Sequence, residues 1–279
     1  MNTLTAAHIA AYGQSLRAQE RAPATVEKYL REVHFFAAWL DGRPVTQERT
    51  AAWKACLLER GCAPATVNVK LSALNGLLRF LGWEKCRVKP LRLQHRLFRD
   101  ARRDLDRAEY RRLLETAVGQ GRERLALLMQ TICAAGIRVS ELRYITVEAV
   151  RSGRADVVLK GKIRTILLPG KLCRKLLRFA GKQKIASGEI FLTKGGKSLS
   201  RQSIWRALKA LCKKAGVSAT KVFPHNLRHL FAAAFYKNTR DIVKLADVLG
   251  HSSINTTRIY LLTTGAEHAR QLDRLGFVP

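Results

Sequence analysis

The sequence predicts a mainly α-helical protein in two domains, with one small β-hairpin in the second. Three observations carry that prediction. Apolar residues recur at spacings of three and four through residues 1–90, with no alternating run among them. A proline and a basic stretch then break the pattern. Helical spacing resumes beyond the break and is interrupted once by a β-rich stretch at 156–168. A chain of 279 residues is long enough for two cores.

Four helices are expected in the first domain. Thr3-Leu4-Thr5 starts one that carries Ile9, Tyr12 and Leu16 on a single face. Ala22-Pro23-Ala24-Thr25-Val26 starts a second that runs to Leu40, since proline fits a first helical turn, where the missing N–H is no loss. A third covers roughly Gln47–Arg60. Ala63-Pro64-Ala65-Thr66-Val67 repeats the earlier start 41 residues on and opens a fourth helix to Leu81. The repeat is short, and a shared start signal explains it as well as duplication does. Basic outer faces suit these helices equally to gripping DNA and to docking on protein. The domains are expected at 1–90 and 104–279, joined by a basic linker at 91–103.

The second domain, mixed α+β, opens with helices from Asp106 to about Val118 and over Glu123–Ala135. Gly136-Ile137-Arg138 then sets a guanidinium against a buried helix, so Arg138 has to meet an anion. Ser140 reads as the N-cap of the next helix. Residues 156–168 read as a hairpin turning at Lys160-Gly161-Lys162, and Glu189–Leu192 as another short strand. Ser200 or Ser203 caps a helix through Lys213. His225 and Arg228 stand three apart at a helix start, on one face. A helix over Asp241–Gly250 delivers His251, nine residues before Tyr260. A final short helix is expected at 266–275.

Lys plus Arg number 51 against 21 acidic residues, a net charge of +30. The excess is spread: 16 basic against 7 acidic residues in 1–99, and 35 against 14 in 100–279. Such a chain repels itself unless a polyanion is its partner, and nucleic acid is the commonest. Ribosome or membrane-surface binding would give the same balance. The six cysteines form no close C-x-x-C pair and read as reduced, largely buried thiols. No signal peptide and no membrane-length apolar run is read, so the expected compartment is the cytoplasm, without membrane association.

Arg138, a hairpin lysine, His225-x-x-Arg228, His251 and Tyr260 form an ordered constellation. Together with the surrounding Gly136–Leu142, Pro224–His229 and Leu249–Tyr260 segments it resembles the tyrosine recombinases, the integrase family of site-specific DNA recombinases. The resemblance covers the whole second domain, and the helical first domain fits the family's core-binding, SAM-like domain. It implies cutting and rejoining of double-stranded DNA through a 3′-phosphotyrosyl link, by a homo-tetramer on two DNA sites, with an accessory directionality factor in some members. No cofactor and no metal are implied, and no carboxylate cluster in the sequence suits Mg²⁺.

The implied roles agree with elementary chemistry. Tyr260 is the nucleophile, and its phenol, with an ordinary pKa of about 10, needs help to lose its proton. Arg138 and Arg228 fork onto the phosphate oxygens. His225 is the base or proton relay, and His251 donates to a phosphate oxygen. Lys160 is the general acid for the leaving 5′-oxygen, with Lys162 competing for that role. Glu141 reads equally as a partner that orients Arg138 or His225 and as a helix cap, and His229 as structural. Ala232-Ala233-Ala234 stands where many relatives carry a threonine. Leu272, Leu275, Phe277 and Val278 would pack on a neighbouring subunit. Two rival functions are a DNA-binding regulator with an inactive site and a type IB topoisomerase.

Overall fold

The computed structural model describes residues 2–93, 103–159, 162–260, 270 and 273–274. The chain divides into two compact units, Met1–His95 and Arg96–Pro279. The first unit is helical among its described residues: α1 (Ala6–Ala18), α2 (Pro23–Leu40), α3 (Gln47–Glu59), α4 (Pro64–Phe80) and a 3-10 turn at Glu84–Cys86. The repeated starts adopt one geometry: Ala22 and Ala63 are both extended before a proline in the first turn, with ψ of 135° and 137°. Val33, Phe36, Val67, Leu71, Leu74 and Leu78 are fully buried where α2 meets α4.

Two asparagines on α4 hold the chain that follows it. Asn75 pairs with both backbone groups of Val88, at 2.8 and 3.1 Å, and Asn68 does the same for Leu91, at 2.9 and 2.7 Å. Each side-chain amide stands in for a neighbouring strand, so the backbone groups of Val88 and Leu91 on either side of Pro90 are satisfied. Most of the expected basic linker, residues 94–102, lies outside the described residues.

The second unit runs α5 (Arg107–Gly119), α6 (Glu123–Ala135), a 3-10 helix (Val139–Tyr144), α7 (Val147–Ser152), β1 (Arg154–Leu159), β2 (Lys162–Leu167), α8 (Gly170–Lys182), α9 (Arg201–Ala215), α10 (Pro224–Thr239), α11 (Ile242–Leu249) and α12 (Ile254–Arg258). α6 carries buried residues on nearly every side, from Leu125 to Ala135, and packs against α5, α8 and α10. The two strands pair antiparallel, with Val157 opposite Arg164 and Leu159 opposite Lys162.

Several expectations change. Ser140 is not an N-cap: it sits inside the 3-10 helix, where Arg138 takes the cap position and Glu141 accepts from the Arg138 N–H at 2.7 Å. Lys162, expected in the hairpin turn, is the first residue of β2. Glu189–Leu192 forms only isolated bridges, Thr146 to Glu189 and Leu192 to Ser198, because no strand among the described residues lies alongside to extend them. α7 and α8 were not expected at all. Lys160 and Gly161, and nearly all of the expected last helix with its apolar Leu272, Leu275, Phe277 and Val278, lie outside the described residues.

Candidate active site

Four segments of the second unit meet around one buried carboxylate. Glu141 is 2% exposed and stands in the 3-10 helix directly after α6. Gly136 ends α6 in the left-handed region, φ +61°, which turns the chain so that Arg138 faces the site. Arg138 Nη1 donates to Glu141 Oε1 at 3.0 Å, while its side chain remains 42% exposed. Arg164, from β2, donates from Nη2 to Glu141 Oε2 at 2.7 Å. Arg228, on the first turns of α10, brings Nη1 to 3.9 Å from the same oxygen. One carboxylate therefore faces three guanidiniums, and the cluster carries surplus positive charge.

Arg228 is only 2% exposed, so its hydrogen bonds decide whether it can be there. It donates to Gly136 O and to Leu249 O, both at 2.7 Å, and Nη2 approaches His251 Nε2 at 3.0 Å. Burial first, then the nearby charge of Arg138, pushes its pKa down to about 10, which leaves it protonated at neutral pH.

His251 is delivered by the end of α11. Gly250, at φ +63°, closes the helix, and the His251 N–H returns to Ala246 O at 3.0 Å. A guanidinium has no acceptor, so Nε2 must accept from Arg228. The ring proton is then on Nδ1 and is donated to Thr257 Oγ1, 2.9 Å away on α12. Burial, Arg228, Arg138 and Arg164 together push the His251 pKa down to about 4, so this imidazole is neutral. His225 has an exposed side, but desolvation of the part turned inward, with Arg228 and Arg138 beside it, lowers its pKa as well.

Tyr260 follows α12 and is 3% exposed. It packs on Ala232, the first residue of the alanine run, and on Leu245 and Leu249. Three imidazoles surround its ring: His229 at 4.9 Å between centroids, His251 at 5.8 Å and His225 at 6.0 Å. His229, expected to be structural, is thus the nearest of the three, and its Nδ1 lies 3.2 Å from Asp104 Oδ1. Of the six predicted site residues, five are brought together here: Arg138, His225, Arg228, His251 and Tyr260. Lys160 lies outside the described residues, and the side chain of Lys162 is likewise not described. Arg164 and Thr257 were missed. Arg164 had a signal, because strand alternation puts it on the inward face, where a charge needs a partner.

Residues 103–266 match the phage integrase family, and residues 9–85 match the N-terminal SAM-like domain of phage integrases. The chain belongs to the phage integrase family. It is a tyrosine recombinase, and the class of reaction is site-specific cleavage and rejoining of DNA. It is 29% identical over 260 residues to tyrosine recombinase XerA of Thermococcus kodakarensis, covering 90% of this chain and 88% of that protein. It is 27% identical over 266 residues to tyrosine recombinase XerD of Listeria monocytogenes, covering 86% and 88%. In fold it is similar to a lambda integrase tetramer bound to a Holliday junction, with TM-score 0.74 and 19% identity over 93% of this chain and 78% of that one. The Tn1549 transposon integrase in complex with transposon right end DNA gives TM-score 0.71 and 17% identity, over 96% and 99%. Among the described residues of this recombinase, no group of three or more His, Cys, Asp or Glu could hold a metal ion, and no helix is long and apolar enough to cross a membrane.

Proposed function

We propose that Tyr260 attacks a DNA phosphodiester held by Arg138 and Arg228, and that the chain recombines double-stranded DNA as a homo-tetramer on two sites. The observation that carries this reading is the gathering of Arg138, Arg228, His251 and Tyr260 in one cluster with more guanidinium than carboxylate. Such a cluster is short of an anion, and a phosphate supplies one.

In the step itself, the Tyr260 oxygen bonds to phosphorus and the bond to the 5′-oxygen breaks. The phenol proton goes to His225, the proposed base. Lys160, or Lys162, protonates the leaving 5′-oxygen. The phosphate ester survives as a 3′-phosphotyrosyl link, so rejoining needs no ATP. Charge on the non-bridging oxygens is met by the Arg138 and Arg228 donors, each worth about 3–4 kcal/mol by analogy with preorganised oxyanion sites. An incoming phosphate also raises the histidine pKa values, since an anion favours imidazolium. Once Arg228 turns an Nη toward it, His251 Nε2 can donate instead of accept.

Residues 1–90 would grip the duplex beside the cleavage point, with the basic stretch 91–103 against the backbone. Integration or excision of a mobile element and resolution of DNA multimers both fit, in the cytoplasm, with or without a directionality factor. Covalent capture in cells tests the reading. Wild type and Tyr260→Phe are expressed beside their native neighbouring DNA, denatured quickly and pulled down, and attached DNA is sequenced. A Tyr260-dependent adduct at one or a few sites is expected. Normal DNA occupancy without any adduct would point instead to a regulator, and relaxation of supercoils without strand exchange to a topoisomerase.

A further inference from the structure

Arg164 belongs to none of the six proposed roles, yet it touches three supports of the site. It lies on the inward face of β2, opposite Val157, with its side chain 14% exposed. Nη2 donates to Glu141 Oε2 at 2.7 Å, and Nη1 to Val248 O, in the last turn of α11, at 3.0 Å. Its stem fills the space under Gly250, where an added Cβ would fall 2.5 Å from Arg164 Cδ and 2.8 Å from Nη1. Gly250 is the residue from which His251 departs. One side chain therefore joins the hairpin strand, the carboxylate that pairs with Arg138, and the turn that aims His251.

The allocation of Glu141 shows what this joining achieves. Oε1 is taken by Arg138 Nη1, and Oε2 by the Arg138 N–H and Arg164. Arg228 stays at 3.9 Å from Oε2 and directs its donors to carbonyls and to His251. Without Arg164, Oε2 would draw on Arg228 and on the Arg138 fork, the two guanidiniums a phosphate requires. A buried carboxylate in closer pairing with them would compete with the substrate anion.

Building on the recombinase reading, we infer that Arg164 is a positioning residue for DNA cleavage: it occupies Glu141 Oε2 and pins the α11–His251 turn, so that Arg138 and Arg228 are kept from closer pairing with Glu141 and His251 keeps its place beside them. Arg164 acts through these groups and does not itself meet the DNA.

The test uses the full chain as wild type, Arg164→Met and Arg164→Lys, on the duplex recovered by covalent capture. Kd for that duplex is measured, and then the single-turnover rate of covalent-complex formation at saturating protein. Arg164→Met should bind the duplex as wild type does and form the adduct about 10- to 100-fold more slowly, the range seen when partners of site ligands are removed. Arg164→Lys keeps the charge but cannot reach both Glu141 and Val248, and should fall between the two. Unchanged rates in both variants would overturn the inference. So would a parallel loss of DNA affinity and helical circular dichroism in both, which would mark Arg164 as a core residue only. A wild type that forms no adduct fails the recombinase reading itself, before any variant is compared, and the inference goes with it.

Discussion

At the scale of single residues, the site is organised by an imbalance of charge. Arg138, Arg164 and Arg228 share Glu141, and burial together with their charge pushes the pKa of both His225 and His251 down. This has a consequence for stability. His251 titrates near its ordinary value in the unfolded chain and at about 4 in the fold. Between those values the unfolded chain binds more protons, so stability is full above the ordinary histidine pKa and falls as pH drops toward 4. Thermal melts from pH 7 to pH 5 should show this, and His251→Gln should remove part of the slope, restoring roughly 2–4 °C in Tm at pH 5. A His251→Gln chain with the same slope as wild type would mean that the imidazole is not desolvated in solution.

The same residues show how far a sequence can be read. That Arg138, His225, Arg228, His251 and Tyr260 gather in one place was legible because each sits in a short segment with a helix end or turn beside it, at fixed spacing. The Glu141 hub was only half legible, since a glutamate three residues after an arginine reads as a cap or as a partner, and here it is both. Arg164 stood in plain view on a strand, but only the three-dimensional partner two elements away gives it meaning. The closeness of His229 to Tyr260 depends on how α10 is rotated, which spacing alone does not fix.

At the scale of elements, the join between α6 and α10 is the tightest constraint near the site. Gly136 has φ +61°, and a Cβ there would overlap the ring of Phe231 on α10. Gly153, at φ +73°, ends α7 with nothing within 4 Å of the same added atom. Both positions carry the left-handed penalty for a non-glycine residue, about 1–2 kcal/mol. Gly136→Ala should lose that and a further 1–3 kcal/mol for forced repacking, whereas Gly153→Ala should lose the first amount alone; urea denaturation separates them. Equal losses would mean that Phe231 moves aside freely. Helices of the first unit were legible from their three–four spacing and proline starts. α8 was missed although Leu172, Cys173, Leu176, Phe179 and Ala180 are buried at helical intervals, because it begins at Pro169-Gly170 with no side-chain cap to announce it. Glu189–Leu192 misled in the other direction. Ile190 and Phe191 are buried and β-prone, but a strand needs a neighbour as well as a propensity.

At the scale of the whole molecule, +30 of net charge on 279 residues sets how the chain meets DNA before any chemistry. Each phosphate neutralised releases counterions, so log K should fall against log salt with a slope of about −0.9 per contact. For a protein gripping a duplex through both units, at least about six such contacts are expected, and a slope of −5 or steeper. Titrations with duplex DNA between 50 and 200 mM salt measure this; a slope near −2 would mean that most of the basic residues serve solubility rather than contact. The compact units Met1–His95 and Arg96–Pro279 part within the basic run that follows Pro90.

The enclosure of Tyr260 bears on a hazard that every DNA-cutting protein faces. A chain this cationic meets an enormous number of wrong phosphates for each right one as it slides and hops along a chromosome. A phenol that is 3% exposed, roofed by His225, His229 and His251, is out of reach during that search. On the proposed reading that Tyr260 is the nucleophile, no phosphate can be attacked until that ring is uncovered. Under that proposal, fidelity begins with the phenol kept indoors, ahead of any discrimination between one base sequence and another.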